Sequence, residues 1–182
     1  MPFIKSQQKS NQRGFTLVET ITYLFIFSML MLLISSLVTS VFNAKRMLQS
    51  SDMVHNNARF IANFLTHKIH NTDLINDVSP EPEGFYFYQM PDTRFSIAVE
   101  SNNLVFREVQ DIGAGFPDQS TADPIVLNTD RVSVSNLVLT PVADSHSNQN
   151  QGLAIDFTLT TGNVNNIYNY LQKDFSIFIS IR

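Results

Sequence analysis

The chain has no cysteine. No disulfide can staple it, so any folded domain must be held by its core alone. Glycine is scarce, at 6 in 182 residues, and neither glycine nor proline occurs between Phe15 and Val78. The two residues that most often break a helix are thus missing from that whole stretch. Charge is nearly missing from its first half, where Phe15 to Phe42 holds one charged side chain in 28 residues, Glu19. Catalytic patterns are missing too. There is no Gly-x-Ser-x-Gly elbow and no glycine-rich phosphate loop, which leaves the common hydrolase and nucleotide-binding readings without support. Clustered cations are also lacking. Residues 43–182 contain 9 Lys and Arg against 15 Asp and Glu, a balance of −6. Binding to a phosphate backbone needs the opposite, so no direct nucleic-acid partner is expected.

What is present begins with the apolar run itself, which exceeds the roughly 20 residues a helix needs to cross hydrocarbon. A basic leader precedes it, with Lys5, Lys9 and Arg13 and no acidic residue. Lys45 and Arg46 follow the run, so the positive-inside bias is slight. A secretory signal peptide fits poorly, because its apolar region is about 7–15 residues and ends at a small-residue cleavage site. Val38-Thr39-Ser40 is only a passable site of that kind. A conventional transmembrane anchor stays open on hydropathy alone. Glu19 is the discordant residue. A carboxylate inside an apolar helix costs about 2.5–3.5 kcal/mol on insertion scales and usually has a partner and a function. No cation lies between Thr20 and Val41. Its partner therefore comes from elsewhere, or it stays hydrated near the interface.

Arg13-Gly14-Phe15-Thr16-Leu17-Val18-Glu19, at the end of a basic leader and the start of an apolar run, resembles the prepilin signature of the type IV pilin and pseudopilin families. The resemblance implies that a prepilin peptidase cuts after Gly14 and methylates the new amine of Phe15. It implies a single-pass inner-membrane protein with its N-terminus cytoplasmic and its domain extracytoplasmic, later part of a cell-surface or periplasmic fibre. Glu19 would then meet the amine of a neighbouring subunit as the fibre grows, so the partners implied are the peptidase, other pilin or pseudopilin subunits and membrane lipid. Many major pilins close a C-terminal loop with a disulfide. This chain has no cysteine, which points to minor pilins and pseudopilins. Leu127 to Leu137 is similar to the J-type pseudopilins of type II secretion and to W-type minor pilins. No enzymatic activity and no cofactor are expected.

Beyond the run, Val54, Ala58, Ile61, Leu65 and Ile69 recur at helical spacing, with Phe60 and Phe64 widening the stripe and Asn56, Asn57, Arg59, Asn63 and Thr66 on the remainder. One helix from about Thr16 to Asn71 would run some 80 Å, apolar all round at first and amphipathic later. Ser79-Pro80-Glu81-Pro82-Glu83-Gly84 breaks the pattern. The period then becomes two. Arg94–Val99 and Asn103–Val109 flank Ser-Asn-Asn as a hairpin. Val132–Ser135 with Leu137–Leu139, Leu153–Leu159 and Asp174–Ile181 supply further strands, only Phe178 breaking the apolar/Ser alternation of the last. Loops are expected over 111–124, 144–152 and 160–169.

The fold class expected is therefore α+β and pilin-like, a long N-terminal helix packed on five to seven mostly antiparallel strands. The divisions are a cleaved leader over 1–14, a transmembrane and assembly helix over 15–42, its amphipathic continuation over 43–79 and a β-rich extracytoplasmic domain over 80–182. Metal chemistry has weak candidates. His67, His70 and Asp73 share a helical spacing, but a transition-metal site needs ligands converging in space. Asp111, Asp118 and Asp123 are oxygen donors in a glycine-containing loop, suited to Ca²⁺ without matching a loop signature. Phe85-Tyr86-Phe87-Tyr88 reads as a strand packed on one side or as a contact surface. Two functions follow, a fibre subunit assembling through its N-terminal helix, or a membrane-tethered domain acting alone as binder or enzyme.

Overall fold

The computed structural model describes residues 16–70, 85–89, 92–143 and 150–180. One helix, α1, spans Leu17–His70. Its start is fixed by Thr16, whose Oγ1 accepts a hydrogen bond from the Glu19 backbone N–H at 3.3 Å. Glu19 stands in the first turn and His67, Lys68 and His70 in the last, the charge order that the helix dipole favours. The chain divides into two compact units, Met1–Asn43 and Ala44–Arg182.

In the first unit, the helical residues from Leu17 to Phe42 are exposed around the whole circumference. The segment is long and apolar enough to cross a membrane. Its hydroxyl side chains are turned back on the helix. Thr22 donates to the Val18 carbonyl, Ser28 to Leu24 and Thr39 to Ser35, all at 2.8–2.9 Å. Each such bond hides a donor that hydrocarbon would leave unsatisfied.

In the second unit, α1 buries Val54, Ala58, Ile61, Leu65 and Ile69, the stripe that the spacing predicts. Seven strands follow among the described residues, all paired antiparallel. One sheet runs β1 (Phe85–Gln89), β2 (Thr93–Glu100), β3 (Asn103–Gln110) and β4 (Ile125–Val126) in that order. The other runs β5 (Val132–Ala143), β6 (Asn150–Thr161) and β7 (Leu171–Ser180). Phe95, Ile97, Leu104 and Phe106 from the first sheet join Val134, Leu153, Ile155, Phe157 and Ile179 from the second around the helical stripe, in one apolar cluster. The architecture is α+β and pilin-like, a long apolar N-terminal helix followed by antiparallel sheets.

Several local expectations are refined. The β2–β3 turn is two residues, not three, because Glu100 already pairs with Asn103. Ser101 and Asn102 both take positive φ, 49° and 66°, the geometry of a type I′ hairpin turn. Val132–Ser135 and Leu137–Leu139 form one strand, interrupted by a register shift at Asn136, whose φ is 52°. Asparagine tolerates that left-handed conformation better than most residues. Residues 150–152, expected in a loop, begin β6. Phe178 does break the apolar/Ser pattern: it stands on the exposed face of β7 with Ser176 and Ser180. Its ring lies across Gly152, where an added Cβ would meet it at 2.5 Å. On α1, Phe60 does not widen the stripe but stays 54% exposed. Asn57, expected on the polar face, is buried. The proline-rich break at 79–84 and the polar stretch 144–149 lie outside the described residues.

Asn57 is buried because it has work on both sides. Its Oδ1 accepts from the Thr129 N–H at 2.9 Å, and its Nδ2 donates to the Met53 carbonyl and to Thr129 Oγ1. Next along the chain, buried Asn128 accepts from the Leu104 N–H and donates to Asn103 Oδ1 and to the Val132 carbonyl. These two amides connect α1 to the segment between the sheets, and that segment to both sheets. Removing either would strand backbone groups away from water.

Candidate functional site

Gly14 and Phe15 lie outside the described residues, so the site is built from Thr16 onward. Thr16-Leu17-Val18-Glu19 fits the Ser/Thr-x-x-Glu pattern of a capping box. Half of that box is present in the hydrogen bond from the Glu19 N–H to Thr16 Oγ1. Thr20 adds to the same turn, its N–H and its hydroxyl both directed to the Thr16 carbonyl at 3.2–3.3 Å. Two threonines thus hold the first turn, and Glu19 projects from it exposed.

The carboxylate stands among apolar side chains and a few hydroxyls, with no cation beside it among the described residues. Leu17, Val18, Ile21 and Leu24 are each more than half exposed. Tyr23, four residues on and so on the same helical face, brings its hydroxyl to 3.5 Å from Glu19 Oε1. That distance is the outer limit of a hydrogen bond. It supplies a neutral donor, not a countercharge. Among the described residues the ion pairs are Lys68–Glu108 and Arg107–Glu100, and Glu19 has none. Chemically, the arrangement is a carboxylate held at a fixed place on an apolar surface and available to a cation from outside. Thr16 and Tyr23 went unread in the sequence, although a Thr-x-x-Glu pattern and an i, i+4 tyrosine are both legible signals.

The remaining candidates are dispersed. Asp111 Oδ1 accepts from the N–H groups of Gly113 and Gly115 at 2.8 and 3.1 Å. Asp118 caps the short 3-10 turn Gln119–Thr121 through the Ser120 N–H. Asp123 is exposed. Both bonded carboxylates serve their own loop, and the structure does not gather the three around a common point. Among the described residues no group of three or more His, Asp or Glu side chains is placed to hold a metal ion. His70 Nδ1 lies 3.2 Å from the Ser180 carbonyl at the end of β7, and Asp73 falls outside the described residues. Phe85–Tyr88 forms β1, at an edge of its sheet.

The distal unit holds one polar hub. Arg107 grips Glu100 with both terminal nitrogens, Nη1 to Oε1 and Nη2 to Oε2, the second at 2.8 Å. That hydrogen bonding, with the charge of Arg107, lowers the Glu100 carboxyl below its ordinary 4.5 against the opposing effect of burial. Beside it, buried Gln119 donates to the carbonyls of Arg94 and Arg107 and accepts from Arg94 Nε. These bonds staple β2, β3 and the 3-10 turn to one another.

Residues 9–35 match the prokaryotic N-terminal methylation motif. The match takes in Lys9, Arg13, Gly14, Phe15 and Glu19 and the first three-quarters of the apolar run. No curated protein matches the chain, and no solved structure does. The motif, set at the start of an exposed apolar helix with a carboxylate in its first turn, supports a type IV pilin-like prepilin.

Proposed function

We propose that the chain is a minor pilin or pseudopilin, a structural subunit of a type IV pilus-like or type II secretion fibre. A prepilin peptidase removes residues 1–14 and methylates the amine of Phe15. The subunit waits in the inner membrane with its N-terminus cytoplasmic, and its β-rich domain is extracytoplasmic. It enters the fibre through the apolar half of α1. The Leu127–Leu137 segment resembles J-type pseudopilins and W-type minor pilins, and the lack of cysteine supports a minor pilin or pseudopilin. The observation that carries the reading is the methylation motif over 9–35, with Glu19 fixed and exposed within it.

The role of Glu19 follows from charge. A lone carboxylate in lipid is costly. Pairing with the Phe15 amine of a neighbour would offset the desolvation of both groups, and would set the axial register of one helix against the next. Expression with a prepilin peptidase should shorten the chain by 14 residues, and Gly14→Val should block this. Glu19→Ala should be inserted and cleaved normally but be depleted from sheared or cross-linked fibre fractions relative to the processed membrane pool. An intact N-terminus by mass spectrometry would defeat the processing step. Normal fibre entry by Glu19→Ala would defeat the pairing step, and absence of the parent chain itself from fibre fractions would favour a membrane-tethered domain acting alone.

A further inference from the structure

The acidic unit Ala44–Arg182 places two arginines on one cleft of about 390 Å³. Arg46, Gln49 and Ser50 come from α1. Arg131 comes from the turn before β5, and Gly162 and Asn169 from the loop between β6 and β7. The loop is tied to the helix, because Ser50 Oγ donates to the Asn169 carbonyl at 2.9 Å. Its shape requires glycine at 162, where φ is 79° and an added Cβ would sit 2.1 Å from the Asn169 oxygen. Both arginines are exposed, and among the described residues neither makes an ion pair. Two like charges around one cleft repel unless an anion lies between them. Guanidinium forks match phosphate oxygens in particular.

Position identifies the source of the phosphate. Arg46 follows Phe42, the last residue of the apolar run, by four residues, about 6 Å of helical rise. The headgroup layer is roughly 5–8 Å thick on each side of the hydrocarbon. The loop that walls the cleft also exposes Val164 by 68%, Ile167 by 74% and Tyr168 by 40%. A soluble phosphate has no use for such a surface. A lipid interface accommodates both aliphatic side chains and the amphipathic ring of tyrosine.

We propose that this cleft holds the phosphodiester headgroup of an anionic glycerophospholipid, from the bilayer that the apolar half of α1 crosses. The proposal rests on the membrane reading above. Arg46 and Arg131 clasp the phosphate, Gln49 and Ser50 offer polar contacts at its rim, and the Val164–Tyr168 loop lies against the glycerol and upper acyl region.

The test uses the full chain in detergent, titrated by native mass spectrometry with dioctanoyl phosphatidylglycerol and, separately, dioctanoyl phosphatidylcholine. One phosphatidylglycerol should be retained at about tenfold lower concentration than phosphatidylcholine. Arg131→Gln, at an exposed position that the fold does not depend on, should abolish most of that preference, while Arg131→Lys should keep part of it. Equal retention of the two lipids, or an unchanged preference in Arg131→Gln, overturns the proposal. So does displacement of the lipid by an equal concentration of inorganic phosphate, which would mark a free-anion site. A dimer that Arg131→Gln dissolves, with no lipid preference, would assign the cleft to an acidic group of a second copy. Flotation with phosphatidylcholine vesicles separates the two levels: a chain that does not float removes the membrane reading itself, whereas one that floats without headgroup preference removes only the cleft.

Discussion

A carboxylate at the start of a helix has two possible employments, and Glu19 is placed for both. In the capping box, glutamate or glutamine at the fourth position serves the helix start. In subunit pairing, only the charge serves. Glu19→Gln separates them, since it keeps a side-chain acceptor oxygen and discards the charge. Its helix start and processing should match the parent, and its share of the fibre fraction should fall as far as that of Glu19→Ala. Fibre entry at the parental level would assign Glu19 to capping. Tyr23→Phe should leave fibre entry within about twofold, since a neutral donor at the limit of hydrogen-bond distance is worth little beside an ion pair. Glu100 offers a second test with its own pH dependence. Its carboxyl is depressed in the folded state by Arg107, so its contribution is fully present above the ordinary 4.5 and is lost as pH falls below it. The carboxylate side chain is 43% exposed, so solvent screens the pair and Glu100→Gln should cost under ~1 kcal/mol at pH 7. Denaturant melts of parent and variant should converge under acid conditions. A gap that widens in acid would contradict the assignment.

At the scale of elements, period decided what could be read. The stripe Val54 to Ile69 and the alternation of Leu153–Leu159 both report a buried face directly, and both are found buried. Leu65→Ala, with no exposure in the parent, should cost about 2–5 kcal/mol through lost burial and a cavity. Phe60→Ser, on the same helix but outside the stripe, should stay within ~0.5 kcal/mol of the parent. If chemical denaturation ranks them the other way, the packed face has been misassigned. Illegible elements were those decided by tertiary contact. Asn57 looks like any polar residue of a solvated face, and only the backbone of Thr129 makes it an interior one. Phe178 looks like a core aromatic, and only its cross-strand neighbourhood with Gly152 gives it a place on the outer face. The Ser101-Asn102 turn was legible as a turn but not in length, because pairing of Glu100 with Asn103 sets that.

For the molecule as a whole, the order of a helix and then strands was legible, whereas the partition of the strands into two sheets was not. Nothing in β3, β4 or β5 marks where one ladder stops. The division falls at Leu127–Arg131, a segment whose buried Asn128 bonds to both sides. The proposed assembly site was legible to the extent that Gly14, Phe15 and Glu19 form a local motif, and the arginine cleft was not, because Arg46 and Arg131 line it together only in the fold. A chain beginning at Lys45 keeps the stripe and both sheets and should be a folded, soluble monomer by circular dichroism and sedimentation. An unfolded product, with full-length protein ordered in detergent, would show that the second unit needs the first. The unbroken α1 has a mechanical meaning as well. A helix with no glycine or proline is a stiff tether, and a pull on its N-terminal end is delivered by its backbone to whatever anchors its far half. The polar contacts of that anchor include Ser50 with Asn169, Lys68 with Glu108, and the buried pair Asn57 with Thr129. Rupture under load follows the unfolding barrier and not equilibrium stability. Asn57→Ala should therefore lower the force at which a tethered single molecule gives way.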